Sequence, residues 1–187
     1  QVADIVKTGD PRQCEKVKDI VIEGISYQKM CEGNIYLNLA QEKADLSYCD
    51  KLDNTMYPIE LCKSSVLAQK VSTATSQTVC DTAGSDTLKN ACLFQYWSLA
   101  ASKQNDVKLC SAIPNPQGVN ACKDNFYTRM LAEGKQVNCS LFSTELVGDC
   151  KTFLNILGNK TKSSTGCLSL SSPFMQEACI QRIENAL

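Results

Sequence analysis

Hydrophobic positions recur along the chain in step with its cysteines. The cysteines fall into two interleaved series, and each series repeats about every thirty residues. Three residues after the first cysteine of each period stands an apolar residue: Val17, Leu52, Ala83, Ile113, Phe142 and Leu170. Four residues after the second cysteine stands another: Ile35, Val66, Tyr96, Phe126, Leu154 and Ile183. Offsets of three or four keep a residue on the helix face of its cysteine. The pattern therefore predicts repeats whose cysteines and paired apolar residues face one core.

Each period predicts a short helix, a turn and a longer helix. In the third period, Ser76 is a candidate N-cap for a short helix that ends near Cys80. Gly84 breaks that helix, and Ser85 or Asp86 can cap the longer helix that follows. No strand pattern competes with this interpretation.

The predicted fold is all-α: tandem antiparallel helical hairpins that form a short right-handed α-solenoid in a single domain, residues 1–187. Residues 1–10 are a candidate docking tail. The first repeat departs from the pattern, because its cysteines are 17 residues apart against 11 to 13 in the others. A longer first helix or an insertion would explain this spacing. The six repeats are approximately 11–44, 45–74, 75–104, 105–133, 134–162 and 163–187.

The twelve cysteines, with no histidine and no CxxC pair, indicate disulfides rather than zinc sites. We therefore expect an extracellular, cell-surface or periplasmic protein. The chain starts at Gln1 without an initiator Met, so we expect that an export leader was removed. An artificial boundary is the alternative.

Two regular pairing schemes are available to the cysteines, within repeats or between them. Pairing between repeats would join Cys62 to Cys80, across a helix that climbs roughly 15 Å. A disulfide tolerates a Cα separation of only about 7 Å. We therefore predict pairing within repeats: Cys14–Cys31, Cys49–Cys62, Cys80–Cys92, Cys110–Cys122, Cys139–Cys150 and Cys167–Cys179.

The paired helices, repeated in tandem, resemble the tetratricopeptide and Sel1-like α-solenoids, above all the secreted, cysteine-rich Sel1-like proteins with one disulfide per hairpin. Small residues recur late in the second helices, where close packing favours them. The period is shorter than that of tetratricopeptide repeats, so the resemblance is one of architecture. It implies protein–protein binding or scaffolding. The small residues are Ala40, Ala68, Ala100 and Ala132.

Charge and composition narrow the function. With 19 basic and 20 acidic residues, the chain lacks the cationic excess that favours non-specific nucleic-acid binding, so we expect no nucleic-acid partner. No apolar run is long enough to span a membrane. We identify no catalytic, cofactor or metal site. The sequon at Asn159 is a candidate glycosylation site in a polar loop.

We expect an extracellular structural protein that self-associates end to end into a filament or surface assembly. Solenoid ends without polar caps expose apolar faces, and unlike ends that meet without closing continue indefinitely. The alternative is a monomeric scaffold that binds a protein, peptide or glycan, including other cell-surface proteins, and an enzyme or inhibitor ranks last. The predicted assembly residues are Val2, Ile5, Val6, Ile183 and Leu187.

Overall fold

Helices dominate the structure, a computed structural model that describes residues 2–22, 24–158 and 164–185. Its α-helices are α1 (Val2–Thr8), α2 (Tyr27–Lys43), α3 (Ile59–Thr73), α4 (Asp86–Gln104), α5 (Pro116–Ala132), α6 (Val147–Gly158) and α7 (Pro173–Glu184). Short 3₁₀ helices cover Pro11–Lys16, Leu46–Lys51, Gln77–Thr82, Val107–Ala112, Cys139–Leu141 and Ser164–Ser169. From α2 onward each α-helix follows one 3₁₀ helix, as the predicted alternation of short and long helices requires.

The short helices are 3₁₀ rather than α-helical because of how they begin and end. In five of them an Asp, Ser or Asn N-cap accepts a hydrogen bond from the backbone N–H two residues on. Ser76 and Asp106 are two of these caps. At the far end, the N–H of the next residue donates to the carbonyl of the buried cysteine, as Val17 does to Cys14 at 2.9 Å. Bonds that span three residues close the tighter helix.

The chain divides into two compact units, Gln1–Tyr96 and Trp97–Leu187, called here the N-terminal and C-terminal units. In the N-terminal unit, α1 packs against α2 and the first 3₁₀ helix. Val2, Ile5 and Val6 lie partly buried against the cluster around the first disulfide. A second cluster surrounds the next disulfide and includes Val66.

A two-stranded hairpin occupies the long first repeat. Strand β1 (Val21–Ile22) pairs antiparallel with β2 (Ile25–Ser26). Gly24 has a φ of +82°, the left-handed region that favours glycine. The hairpin lies between Cys14 and Cys31, so an insertion accounts for their wide spacing. The prediction of an all-α chain holds for its mostly helical structure, and this short hairpin is the exception.

The C-terminal unit is built around one large apolar cluster that includes Phe153, Met175 and Ile183. Helix α7 packs against both α6 and α5. In an array where each repeat contacts only its neighbours, the sixth repeat would not meet the helix of the fourth. The last repeat of this unit therefore folds back further than a one-dimensional array predicts.

The apolar positions chosen from the sequence lie mostly in the core. The residues that follow the first cysteines by three are all buried: Val17, Leu52, Ala83, Ile113, Phe142 and Leu170. In the other set, Tyr96 is half-buried and donates its hydroxyl to the Thr75 carbonyl at 3.2 Å. The remaining buried members are Ile35, Val66, Phe126 and Ile183.

Leu154 is the exception, and its prediction as a core residue was wrong. Its side chain is exposed, while the neighbouring Phe153 is fully buried. Phe153 follows Cys150 by three residues, and Leu154 follows it by four. Both offsets lie near one helix face, and here the larger ring takes the core position.

Polar contacts, called ties here, connect successive repeats within each unit. They recur at one position, the residue that directly follows the buried apolar residue three positions after the first cysteine of a repeat. In the N-terminal unit, Lys29 Nζ lies 2.9 Å from Asp53 Oδ2. In the C-terminal unit, the Ser143 N–H donates to Asp124 Oδ1 at 2.8 Å. Each tie fixes the turn of one repeat against the long helix of the repeat before it.

Asp149 makes the most extensive of these ties. It accepts the Ser171 N–H at 3.0 Å and the Ser172 N–H at 2.7 Å. The Ser171 hydroxyl also donates to both of its oxygens. Burial by itself would raise the pKa of Asp149, but the hydrogen bonds from Ser171 and Ser172 together lower it. The carboxylate is therefore held charged in a buried position.

Candidate functional site

Each disulfide joins a short 3₁₀ helix to the long helix that follows it. The Cα separations are 5.5 to 5.8 Å, within the range that a disulfide requires. The twelve cysteines leave no free thiol, so none is available for catalysis or metal binding. The bridged pairs are those of the within-repeat scheme: Cys14–Cys31, Cys49–Cys62, Cys80–Cys92, Cys110–Cys122, Cys139–Cys150 and Cys167–Cys179.

Most of the residues that were predicted to contact a neighbouring molecule pack against other parts of the same chain. Val2, Ile5 and Val6 pack on the core of the N-terminal unit. Ile183 is only 1% exposed, so the prediction that it reaches a neighbour was wrong. The sequence pattern showed the apolar stripe of the last helix but not the helix α5 that covers it. Leu187 lies outside the described residues.

The hairpin brings together an apolar surface that was not predicted from the sequence. Val21 is 61% exposed, Ile22 is 50% exposed, and Ile20 and Ile25 are also exposed. Successive residues of a strand point to opposite faces, so this apolar surface covers both faces of the ladder. Contiguous exposed apolar surface is typical of interaction sites, so the hairpin is a candidate for one.

Three hydrogen bonds hold the hairpin to the helix that follows it. The Tyr27 N–H donates to the Ile20 carbonyl at 3.1 Å. The Ser26 hydroxyl donates to Asp19 Oδ1 at 2.6 Å and accepts the Lys29 N–H at 3.2 Å, which caps α2. The hairpin is therefore anchored at its base although its side chains are exposed.

A sequence signal for this hairpin exists. The segment Ile-Val-Ile-Glu-Gly-Ile-Ser places β-branched residues on both sides of a two-residue connection that contains glycine. The helical repeat dominates the rest of the chain, and so the spacing alone indicated only an unspecified insertion.

Open clefts occur in both units, and the N-terminal unit has one of about 390 Å³ between Cys80 and Lys89. A hydroxyl-lined cleft of the N-terminal unit has a volume of about 550 Å³, and half of its lining residues carry a hydroxyl group: Thr73, Thr75, Ser76, Thr78 and Thr82. The cleft of the C-terminal unit has a volume of about 300 Å³, and its lining includes Thr128, Arg129, Phe174 and Glu177. Both are open, and their polar groups are interspersed with apolar lining.

The structure does not test the predicted glycosylation site. Asn159, the predicted glycosylation site, lies outside the described residues. Within residues 2–22, 24–158 and 164–185, acidic residues and cysteines form no cluster that could hold a metal ion. In the same ranges, no helix is both long enough and apolar enough to cross a membrane.

Comparison with known proteins identifies no relative. No family model, no curated protein and no solved structure matches the chain.

Proposed function

We propose that this chain is an extracellular structural repeat protein that self-associates end to end into a filament or surface assembly. Six intramolecular disulfides are typical of extracellular proteins, which supports export. Each bridge closes a loop that contributes roughly 3 kcal/mol in the chain-entropy model. The stability that a disulfide adds to every repeat suits a protein that must remain folded outside the cell.

The exposed hairpin is the main observation that supports self-association. Val17 and Ile35 of the first repeat are buried in its own core. Val21 and Ile22 of the inserted hairpin are exposed instead. An exposed apolar strand edge is a template for pairing with another chain.

The last repeat offers a second apolar surface. Leu168 is 64% exposed, and Phe174 is also exposed, although Met175 and Ile183 of the same helix are buried. Apolar surface in both the first and the last repeat fits a contact between unlike ends, which continues when it does not close. A right-handed solenoid of about six tetratricopeptide-like or Sel1-like repeats is the arrangement we propose for the array, with α7 folded back at its end.

The alternative is a monomeric scaffold that binds a protein, peptide or glycan. The hydroxyl-lined cleft of the N-terminal unit favours it, because hydroxyl and amide groups are suited to the hydroxyls of a glycan. Gln69 and Lys70 add an amide and a cation to the same lining. An enzyme or inhibitor ranks below both alternatives, because no nucleophile paired with a base has been identified.

Light scattering and negative-stain imaging of the purified, oxidised protein over a concentration series test the proposal. We expect particles that grow with concentration and appear elongated. A single monomeric species at the highest concentration would overturn self-association. Glycan binding by that monomer, lost on filling the cleft with Thr75→Trp, would then favour the scaffold.

A further inference from the structure

We propose that the cleft between α5 and α7 in the C-terminal unit is a binding site for a neutral saccharide. Its volume of about 300 Å³ lies at the lower end of the range for small-molecule sites. This inference goes beyond the proposed self-association and does not depend on it. The site also lies in a different unit from the hydroxyl-lined cleft.

Two helix faces that meet across a gap form this cleft. On each helix the lining residues follow one another by three or four positions, which places them on one face. Helix α7 packs against α5, so the fold-back of the last repeat creates the cleft. Between the larger side chains, Ala132 and Ala178 leave space. The polar and aromatic lining residues are Asn125, Thr128 and Arg129 on α5, and Phe174, Glu177 and Gln181 on α7.

Thr128 contributes a hydrogen-bonding group that the protein does not use. The residue is 1% exposed, and within the described part of the chain its hydroxyl has no hydrogen-bond partner. A buried hydroxyl without a partner is unfavourable, and a ligand that bonds to it relieves this. Threonine occupies two side-chain rotamers in helices, so its hydroxyl can turn toward a ligand. Because Thr128 lines the cleft, a molecule bound there is in reach of this group.

Arg129, the next residue of the same face, contributes a second unused group. Its Nη1 donates to Glu133 at 2.8 Å and its Nη2 to Asn105 at 3.5 Å. Its Nε is buried and has no partner among the residues that the structure describes. Two adjacent residues of one cleft therefore each hold a buried polar atom whose hydrogen bond is not made within the chain.

The charges of the lining favour a neutral ligand over an ion. The lining contains one cation, Arg129, and one anion, Glu177. A carboxylate ligand would be repelled by Glu177 and an ammonium ligand by Arg129. A sugar hydroxyl both donates and accepts hydrogen bonds, and the amides of Asn125 and Gln181 offer both functions as well.

Phe174 supplies the apolar part of the site. Its side chain is 38% exposed at the cleft. A pyranose ring has an apolar face of C–H groups and a rim of hydroxyls, so it can pack on an aromatic ring while its rim contacts polar groups. Phe174 also belongs to the apolar surface proposed for assembly. Binding is therefore measured at protein concentrations below those at which particles grow.

Saturation-transfer NMR of the oxidised protein tests the site with neutral probes, the methyl glycosides of glucose, galactose, mannose and N-acetylglucosamine. Sodium acetate serves as the anionic comparison. We expect at least one glycoside to bind with a dissociation constant of about 1 mM, as is usual for ligands of this size, and acetate not to bind. No binding by any glycoside at about fifty times that concentration overturns the proposal. Binding of acetate in place of the glycosides also overturns it.

The variants Thr128→Val and Phe174→Leu locate the bound glycoside. Valine keeps the shape of threonine without its hydroxyl, and leucine keeps an apolar side chain without its ring. Each should weaken binding by about fivefold or more. Thr128→Val should leave the midpoint of thermal unfolding unchanged or raise it, because the hydroxyl that it removes is buried without a partner.

The control variant is Thr75→Trp, which fills the hydroxyl-lined cleft of the N-terminal unit and should leave this binding unchanged. Binding that is lost in Thr75→Trp but kept in Thr128→Val and Phe174→Leu assigns the glycoside to the other cleft and overturns the site. Unchanged binding together with lower stability in Thr128→Val shows that the hydroxyl bonds within the protein, and this result overturns the site too. Self-association is decided separately, by light scattering without saccharide.

Discussion

Both units have one disulfide in each repeat, but they differ in the polar contacts that connect successive repeats. Each holds three of the six disulfides, with separations of 11 to 17 residues. At the recurring position, the N-terminal unit has the Lys29–Asp53 ion pair on the surface. Its first two repeats are also joined by the Tyr57 hydroxyl, which donates to the Met30 carbonyl at 3.0 Å. In the C-terminal unit the ties are the carboxylates of Asp124 and Asp149, both buried.

This difference shows that the same position of the repeat can connect neighbouring repeats through different chemical groups. A surface ion pair contributes little to stability, because water screens it and two long side chains must be ordered. A buried carboxylate with satisfied hydrogen bonds is different, since removing it leaves the backbone N–H groups that donate to it without their acceptor. We therefore expect the disulfides to matter equally in both units and the ties to matter mainly in the C-terminal unit.

The largest expected effect is the loss of a bridge, and it should be similar in the two units. We compare Cys49→Ala/Cys62→Ala with Cys139→Ala/Cys150→Ala, whose bridges span 13 and 11 residues. Each double variant should lower the free energy of opening of its own unit by about 3 kcal/mol, because the loops are of similar length. Hydrogen-exchange mass spectrometry resolves the two units. A loss confined to one double variant would show that the staples are not equivalent.

The second effect separates the units. Asp149→Ala should lower the free energy of opening of the C-terminal unit by about 1–3 kcal/mol, since the N–H groups of Ser171 and Ser172 lose their acceptor. Lys29→Ala, which breaks the surface tie of the N-terminal unit, should have a much smaller effect. The same exchange experiment measures both. Equal losses in the two variants would contradict the distinction between buried and surface ties.

The smallest effect is a dependence on pH that belongs to the buried tie. The pKa of Asp149 is lowered in the folded state from its ordinary value of 3.8. The folded state therefore binds fewer protons than the unfolded state as pH falls below that value. The stabilisation is fully present above 3.8 and is lost as pH falls through the folded-state pKa.

Urea denaturation from about pH 6 to about pH 2 measures this dependence, with Asp149→Asn as the matched control. Asparagine has a similar shape but does not titrate in this range. The difference in free energy of unfolding between the two proteins should shrink as pH falls. A difference that stays constant over the range would exclude Asp149 as the titrating group.

The repeat and its staples follow from the sequence by local rules. Cysteine spacing, the caps at Ser76 and Asp106, and the apolar residues three positions after each first cysteine depend on contacts within a few residues. Such contacts follow directly from helix periodicity and capping. The pairing scheme was also accessible, because helix rise limits how far apart two bridged cysteines can lie.

Only the tertiary structure decided which surfaces remain exposed. Val2, Ile5 and Val6 of helix α1 pack on the first core, and Ile183 of α7 is buried in a cluster that includes Leu131 of α5. The described residues that were predicted to meet a neighbour therefore pack within the chain. The hairpin edge at Val21 is exposed instead. Periodicity identifies the apolar face of an element, but what covers that face depends on contacts between residues far apart in the chain. The exposed surface is what remains after those contacts form. The sequence pattern therefore predicted the core, whereas only the packing of the helices showed the candidate site.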